Sequence, residues 1–453
     1  MLTVIAPLLA GAGRKQTLPG GFFLKGDTKV KLAALCLVPF IMVLGNSMLI
    51  PILPQMKSAL RLTQLQTSLV ITAFSIPAGI AIALAGFLSD RFGRKPVIVP
   101  SLIIYGLGGL VAGLAAVALK SPYWLILIGR VIQGIGAAGT AYVAMALAGD
   151  IFTSSERSTA LGLLESSNGF GKVVSPILGS LVALITWYSP FFFYGVLALP
   201  AAAAVGFVVK EPSRKEKAKG AGQYFSALAA IFKVKTASLL ASLLAGAVVL
   251  FLLFGILFFF SEILEKEYNI DGLLKGVIIA GPVLVMSVTS YLTGKGLQKL
   301  KNYMKAAVVV GLAIEAVSLT VPGFFRGNIA FFAAIGFLGL GSGFALPALN
   351  TLITSSTSIE QRGMVTSAYG AVRFFGVAIG PPVFGILMGL GNRVLFFSGA
   401  GLAALASAVA FFLINQQLML KPTGGGGGGT RVHWTPAAPE RVPATSQRSP
   451  TIR

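Results

Sequence analysis

The sequence predicts an all-α integral membrane protein with twelve transmembrane helices in two pseudo-symmetric six-helix bundles. Three observations carry that prediction. Of 453 residues, 55% are hydrophobic and only 11% charged, against about 25% charged in an ordinary soluble domain. A surface so poor in charge cannot be solvated by water, so lipid must be the solvent for most of it. Twelve stretches approach or exceed the ~20 residues that a spanning helix needs. Finally, at a shift of 205 residues helices 10–11 repeat helices 4–5 without a gap.

The spans read, in order, 33–54, 68–88, 97–119, 124–149, 159–186, 190–209, 237–261, 273–294, 304–324, 327–350, 364–390 and 393–417. Pro77, Pro176, Pro282, Pro347 and Pro381 fall inside them, as spanning helices allow, because neighbouring helices re-satisfy the freed backbone groups. Runs such as "GLGGLVAGLAA" and "GFLGLGSG" let helices approach closely. Residues 1–32 are a cytoplasmic lead-in, 33–209 the N-terminal bundle, 210–236 a cytoplasmic central loop, 237–417 the C-terminal bundle and 418–453 a disordered cytoplasmic tail opening on six glycines. With both termini inside, only seven of 36 basic residues fall in outer loops: Lys57, Arg61, Lys120, Lys266, Lys275, Arg326 and Arg393. That asymmetry is the positive-inside pattern of a cell-membrane protein.

Composition also excludes chemistry. Cys36 is the only cysteine and His433, in the tail, the only histidine, so no disulfide and no metal site is expected. No span carries a nucleophile–base pair, so no enzyme is expected. The net charge of +22 follows membrane topology rather than a nucleic-acid face.

The repeat sets Gly134 on Gly339, Gly136 on Gly341, Arg157 on Arg362, Gly171 on Gly376 and Pro176 on Pro381. Two six-span halves around a midplane site is a transporter plan. The segment "GFLSDRFGRKPVI" (86–98), set between spans 2 and 3, resembles the loop 2–3 motif of the major facilitator superfamily. "GRVIQGIGAAG" (129–139) resembles its helix 4 motif, and "GKVVSPILGS" (171–180) the helix 5 motif of antiporters. Across residues 33–417 the chain is similar to the twelve-helix drug:proton antiporters. In the helix 5 motif, Gly171, Pro176 and Gly179 fit, whereas Ser175 and Ser180 stand where glycine is usual.

The resemblance implies a proton-coupled efflux transporter for lipophilic drug-like compounds. It would work as a monomer by alternating access, drawing on the proton gradient with no cofactor. It also implies that Gly86, Asp90, Arg91, Gly93, Arg94 and Lys95, with Asp150 and Arg157, form a conformational latch. In that latch Asp90 would face the start of helix 11 and Arg94 would pair with Asp150.

Five charges lie well inside spans, away from their ends: Arg130, Glu165, Lys172, Glu315 and Arg373. Each costs at least ~2–3 kcal/mol near the bilayer centre and is a functional candidate. Glu165, Asn168 and Lys172 are spaced i, i+3, i+7 and share one helix face. Glu165 and Glu315 are the proton-coupling candidates. Arg130, Gln133, Tyr142, Asn168, Lys172 and Arg373 are candidates for a substrate or proton-relay cavity, with Phe74, Met145, Phe251, Phe254, Phe258, Tyr369 and Phe374 as its soft apolar wall. Three basic against two acidic groups leave open a second reading, export of an anionic or zwitterionic metabolite or lipid. A transport-dead sensor of the same fold is a third.

Overall fold

The computed structural model describes residues 26–152, 154–212, 221–299, 301–324, 328–356 and 362–420. Every regular element among them is helical: α1 (Gly26–Ser47), α2 (Leu53–Leu60), α3 (Gln64–Phe92), α4 (Lys95–Ala118), α5 (Tyr123–Ala138), α6 (Ala141–Ile151), α7 (Ser154–Ala183), α8 (Ser189–Val208), α9 (Ala221–Lys266), α10 (Gly272–Lys299), α11 (Met304–Phe324), α12 (Asn328–Ser355), α13 (Arg362–Leu390), α14 (Asn392–Leu413) and α15 (Gln416–Leu420), with short 3-10 turns at Ile50–Ile52 and Lys301–Tyr303. The first span is α1 continued through the turn into α2. The fourth is α5 and α6, broken at Gly139–Thr140. The five prolines expected within spans all lie inside helices.

Eleven helical segments among the described residues are long and apolar enough to cross a membrane. The fifth expected span, α7, is thirty residues long but is not one of them. Its polar residues, Glu165 to Ser180, are the reason: this helix faces something other than lipid along part of its length. Boundaries differ from expectation: helix α1 begins at Gly26, inside the segment read as a lead-in, and α15 runs to Leu420, inside the segment read as a disordered tail. Helix α9 begins at Ala221, inside the segment read as a central loop, because the basic run ends at Lys219 and apolar residues resume at Tyr224. The lead-in before Gly26 and the tail after Leu420 lie outside the described residues.

The packing repeats as the sequence does. Helix α1 packs on α7, α3 on α5, α4 on α5 and α8, and α1 on α8; correspondingly α9 packs on α13, α10 on α12, α11 on α12 and α14, and α9 on α14. The halves meet through α3 against α13 and α7 against α10. The glycines that recur in register explain why. A Cβ on Gly134 would overlap the carbonyl oxygen of Phe74, and one on Gly339 that of Pro282. Likewise Gly171 lies against the backbone of Phe40 and Gly376 against that of Ala247. Each contact is helix backbone on helix backbone, the approach that small residues permit inside membranes. Phe207, Ile329, Phe412 and Ile185 are exposed on the outside, where lipid tails would meet them.

Local rules set the ends. Thr63 caps α3 in a reciprocal box with Gln66 (Gln66 N–H to Thr63 Oγ1, 3.2 Å; Thr63 N–H to Gln66 Oε1, 2.9 Å). At its other end Gly93 takes φ +107°, and its backbone lies against the Glu211 carboxylate. A side chain there would be strained twice over.

Candidate functional site: a charged cavity between the halves

A cavity of about 190 Å³ lies between the two halves. It runs from Ile50 and Leu257 to Glu165, Asn350 and Thr366. From the N-terminal half come Met42, Asn46, Ser47, Phe74, Tyr142, Met145, Glu165, Asn168, Lys172 and Pro176; from the C-terminal half come Phe254, Met286, Arg373, Phe374 and Val377 among others. The stripe expected on the fifth span is therefore a cavity wall. Phe251, Phe258 and Tyr369, also expected there, stand behind it: Phe251 packs edge-on against Phe384 at 5.6 Å.

The intramembrane charges separate into two groups. Arg130 is fully buried and has a complete set of partners. Its Nε donates to Val70 O (3.1 Å), Nη1 to Gln133 Oε1 (2.5 Å) and Nη2 to Asn46 Oδ1 (2.6 Å), and its guanidinium lies 4.5 Å from the centre of the Phe74 ring. Asn46 in turn donates to Ser75 Oγ at 2.6 Å. Arg130 and Gln133 thus sit behind the cavity, tying α5 to α1 and α3, rather than on its surface where they were expected. Glu315 is also away from it. Its Oε1 accepts from Ser342 Oγ at 2.7 Å, between α11 and α12, and its Oε2 has no partner.

Glu165, Lys172 and Arg373 remain, all on the cavity wall. Among the described residues no ion pair joins any of them to another. Lys172 and Arg373 repel across the cavity, and Glu165 attracts both. The Arg373 guanidinium lies 5.3 Å from the centre of the Tyr369 ring, and its Nε and the Tyr369 hydroxyl are buried with no hydrogen-bond partner. In the helix 5 motif, Gly171 presses on Phe40 of α1 and Gly179 on the backbone of Met48 just past its end, Ser175 turns its hydroxyl back to Gly171 O (2.5 Å) and Pro176 lines the cavity.

The charged knot lies at one end of the bundle. Arg94 Nη1 pairs with Asp90 Oδ1 at 2.7 Å and donates to Ser89 Oγ at 2.6 Å, and Arg94 Nε reaches Asp150 Oδ2 at 3.5 Å. Ser89 Oγ donates to Gly86 O at 2.8 Å. Arg157 lies over Gly149, Arg91 lies by Phe92, and Lys95 opens α4. The contact expected between Asp90 and the start of helix 11 falls where the side chains up to residue 363 lie outside the described residues. Sequence reading missed Glu211. Its carboxylate accepts from the backbone N–H groups of Arg94 (2.6 Å) and Lys95 (2.9 Å), capping the first turn of α4 from the end of α8. The only signal in the sequence is an acidic residue just after the sixth span.

At the opposite end the halves are fastened. Lys57 Nζ, from α2, donates to Glu262 Oε1 of α9 at 2.7 Å and also to Gln64. Lys266 Nζ reaches the same oxygen at 2.7 Å. Ser261 Oγ donates to Ile50 O (2.8 Å), and Gln64 Nε2 approaches Met388 Sδ at 3.4 Å. Glu262 is 4% exposed.

Two pseudo-equivalent helix bundles enclosing one midplane cavity, with a charged turn between the second and third spans, make a sharp comparison possible. The sequence profile of the Major Facilitator Superfamily matches residues 35–317 and 303–446. The chain belongs to the Major Facilitator Superfamily. It is a multi-pass membrane transporter of that superfamily. It is 43% identical over 385 residues to the bacillibactin exporter of Bacillus subtilis (strain 168), covering 84% of this chain and 95% of the relative. It is 26% identical to multidrug resistance protein 2 of the same organism, covering 80% and 89%. Among solved structures, the D-xylose-proton symporter superposes with a TM-score of 0.68 at 14% identity, covering 87% of this chain and 98% of that one. This likeness concerns the fold alone.

Proposed function

We propose that this superfamily member exports amphipathic organic solutes across the cell membrane by alternating access, and that protons couple to the movement through Glu165. Both termini lie in the cytoplasm in this reading, the knot end faces inward, and the proton gradient supplies the energy. The observation that carries it is the cavity between the halves, apolar over most of its wall yet holding one carboxylate. Protonation of Glu165 would change the charge of the wall from +1 to +2, so proton and solute occupancy are thermodynamically linked. The resemblance to an exporter and to a multidrug resistance protein supports the outward direction. The fastened far end fits a state closed to the outside.

The test uses inside-out vesicles containing the protein, an imposed interior-acid gradient and a fluorescent pH dye. Solutes that differ in charge are added in turn. Solute-dependent proton movement that is absent in Glu165→Gln is the expected result. Solute movement with an unaltered proton signal in Glu165→Gln refutes the role of Glu165, and no solute movement refutes export.

A further inference from the structure

The two arginines of the cavity region are opposites. Arg130 has three hydrogen bonds and an aromatic ring. Arg373 has the Tyr369 ring against it and, among the described residues, no hydrogen bond or ion pair; its Nε and the Tyr369 hydroxyl are buried and unbonded. Buried polar groups in folded proteins are nearly always paired, so an unpaired one asks for an explanation. Lys172, on the facing half, has no hydrogen-bond or ion-pair partner among the described residues either. Two unpaired cations in a low-dielectric site are costly, and ionised Glu165 offsets one of them. One positive charge is left over, in an apolar pocket whose wall includes Phe74, Phe254 and Phe374.

We infer that the solute exported through this cavity is an amphipathic acid, its anionic group held between Lys172 and Arg373 and its apolar body among the phenylalanines. The inference rests on the export reading above. A guanidinium offers a planar fork of donors that matches a carboxylate or similar anion in two-point geometry, and the Tyr369 ring fixes its plane. Lys172 belongs to α7 in one half and Arg373 to α13 in the other. One anion bridging them binds both halves at once, so its presence favours whichever state brings them together.

The charges also couple the acid to Glu165. Glu165 is faced by Lys172 from its own helix, Tyr142 from α6 and Arg373 from α13. An acid that takes the two cations competes with Glu165 for them, so the charge on Glu165 and the binding of the acid are coupled.

Naphthylacetate, naphthylethylamine and naphthylacetamide share one aromatic body and differ in charge. Their binding to the full-length protein is measured by equilibrium dialysis, and their movement with a pH dye in proteoliposomes. Naphthylacetate is expected to bind best. Lys172→Gln and Arg373→Gln should each weaken it about tenfold, the loss of a charge-assisted hydrogen bond, and Arg373→Lys should restore part. Glu165→Gln should tighten naphthylacetate binding, a gain that misfolding cannot mimic. Preference for the amine or amide, or naphthylacetate binding indifferent to both Lys172→Gln and Arg373→Gln, overturns the inference and leaves export standing. No binding or movement of any of the three overturns both.

Discussion

The pair of Lys57 and Glu262 offers the most direct control over which side of the transporter is open. The two residues are 205 positions apart, the shift that superposes the halves, so they are equivalent positions on the first and seventh spans, meeting where those spans end. Lys57→Met removes a 2.7 Å charge-assisted bond across the two halves while keeping the length of the side chain. Lys266 remains 2.7 Å from Glu262 Oε1, so the carboxylate is not orphaned and the protein keeps its fold. A charge-assisted hydrogen bond contributes about 1.5–3 kcal/mol, and the Lys57 side chain is 21% exposed, which puts the loss near the lower end. About 1–2 kcal/mol corresponds to a roughly 5–30-fold change in a two-state ratio, here from far-end-closed toward far-end-open. Cys36 is the only cysteine, so Cys36→Ser provides a clean background for spin labels at Ser58 and Glu267, both exposed at this end and on opposite halves. Double electron–electron resonance should show a longer-distance population that grows in Lys57→Met and in Glu262→Gln. Unchanged distance distributions in both variants, from protein that remains monodisperse, would refute the idea that this bond holds the halves together.

Three further outcomes follow from the geometry. Glu315 lies between α11 and α12, away from the cavity, and one of its oxygens lacks a partner; Glu315→Gln should therefore leave solute-coupled proton movement intact, whereas the same change at Glu165 abolishes it in the vesicle assay. Glu211→Gln replaces a carboxylate that accepts two backbone N–H groups at a helix N-terminus, a loss of about 1–2 kcal/mol that should appear as a lower midpoint in a thermal scan of the detergent-solubilised protein and as faster proteolysis near residues 93–95. Gly339→Val drives a side chain into the backbone of Pro282 and should cost several times more than the neutral control Gly336→Val, whose Cβ position is empty of neighbours; overpacking of this kind costs about 1–3 kcal/mol.

The number and order of the spans, and the packing of one half on the pattern of the other, were legible because lipid imposes a length and a hydropathy on each helix and because the glycines that permit backbone contact recur in register. The start of α9 was not. Its first residues follow a basic run, and polarity outweighed the apolar residues beyond Tyr224. Glu211 was invisible for a different reason: it acts on the α4 terminus more than a hundred residues away in the chain, and a carboxylate after a span looks like any solvated residue until the fold brings a helix end to it.

The charged residues show where sequence reasoning stops. Arg130 and Arg373 look alike from the sequence, each an arginine in the middle of an apolar helix. What distinguishes them is Asn46, eighty-four residues from Arg130, whose amide completes a guanidinium shell that no described residue supplies to Arg373. A polar partner on another helix turns an intramembrane charge into a structural bolt; without one, the Arg373 guanidinium is left on the cavity wall. The Lys57–Glu262 pair shows the opposite case, a tertiary contact that the sequence did contain. Once the shift of 205 residues is known, opposite charges at equivalent positions on the first and seventh spans can be read directly. In a fold with two pseudo-equivalent halves, residues beside the axis face their own counterparts. Opposite signs at such a pair attract, and like signs repel. The same comparison made at every position along spans 1 and 7 gives Lys57 and Glu262 as the charged match at the far end, which is why that bond, rather than the Asp90 knot, is the sharper place to push the two halves apart.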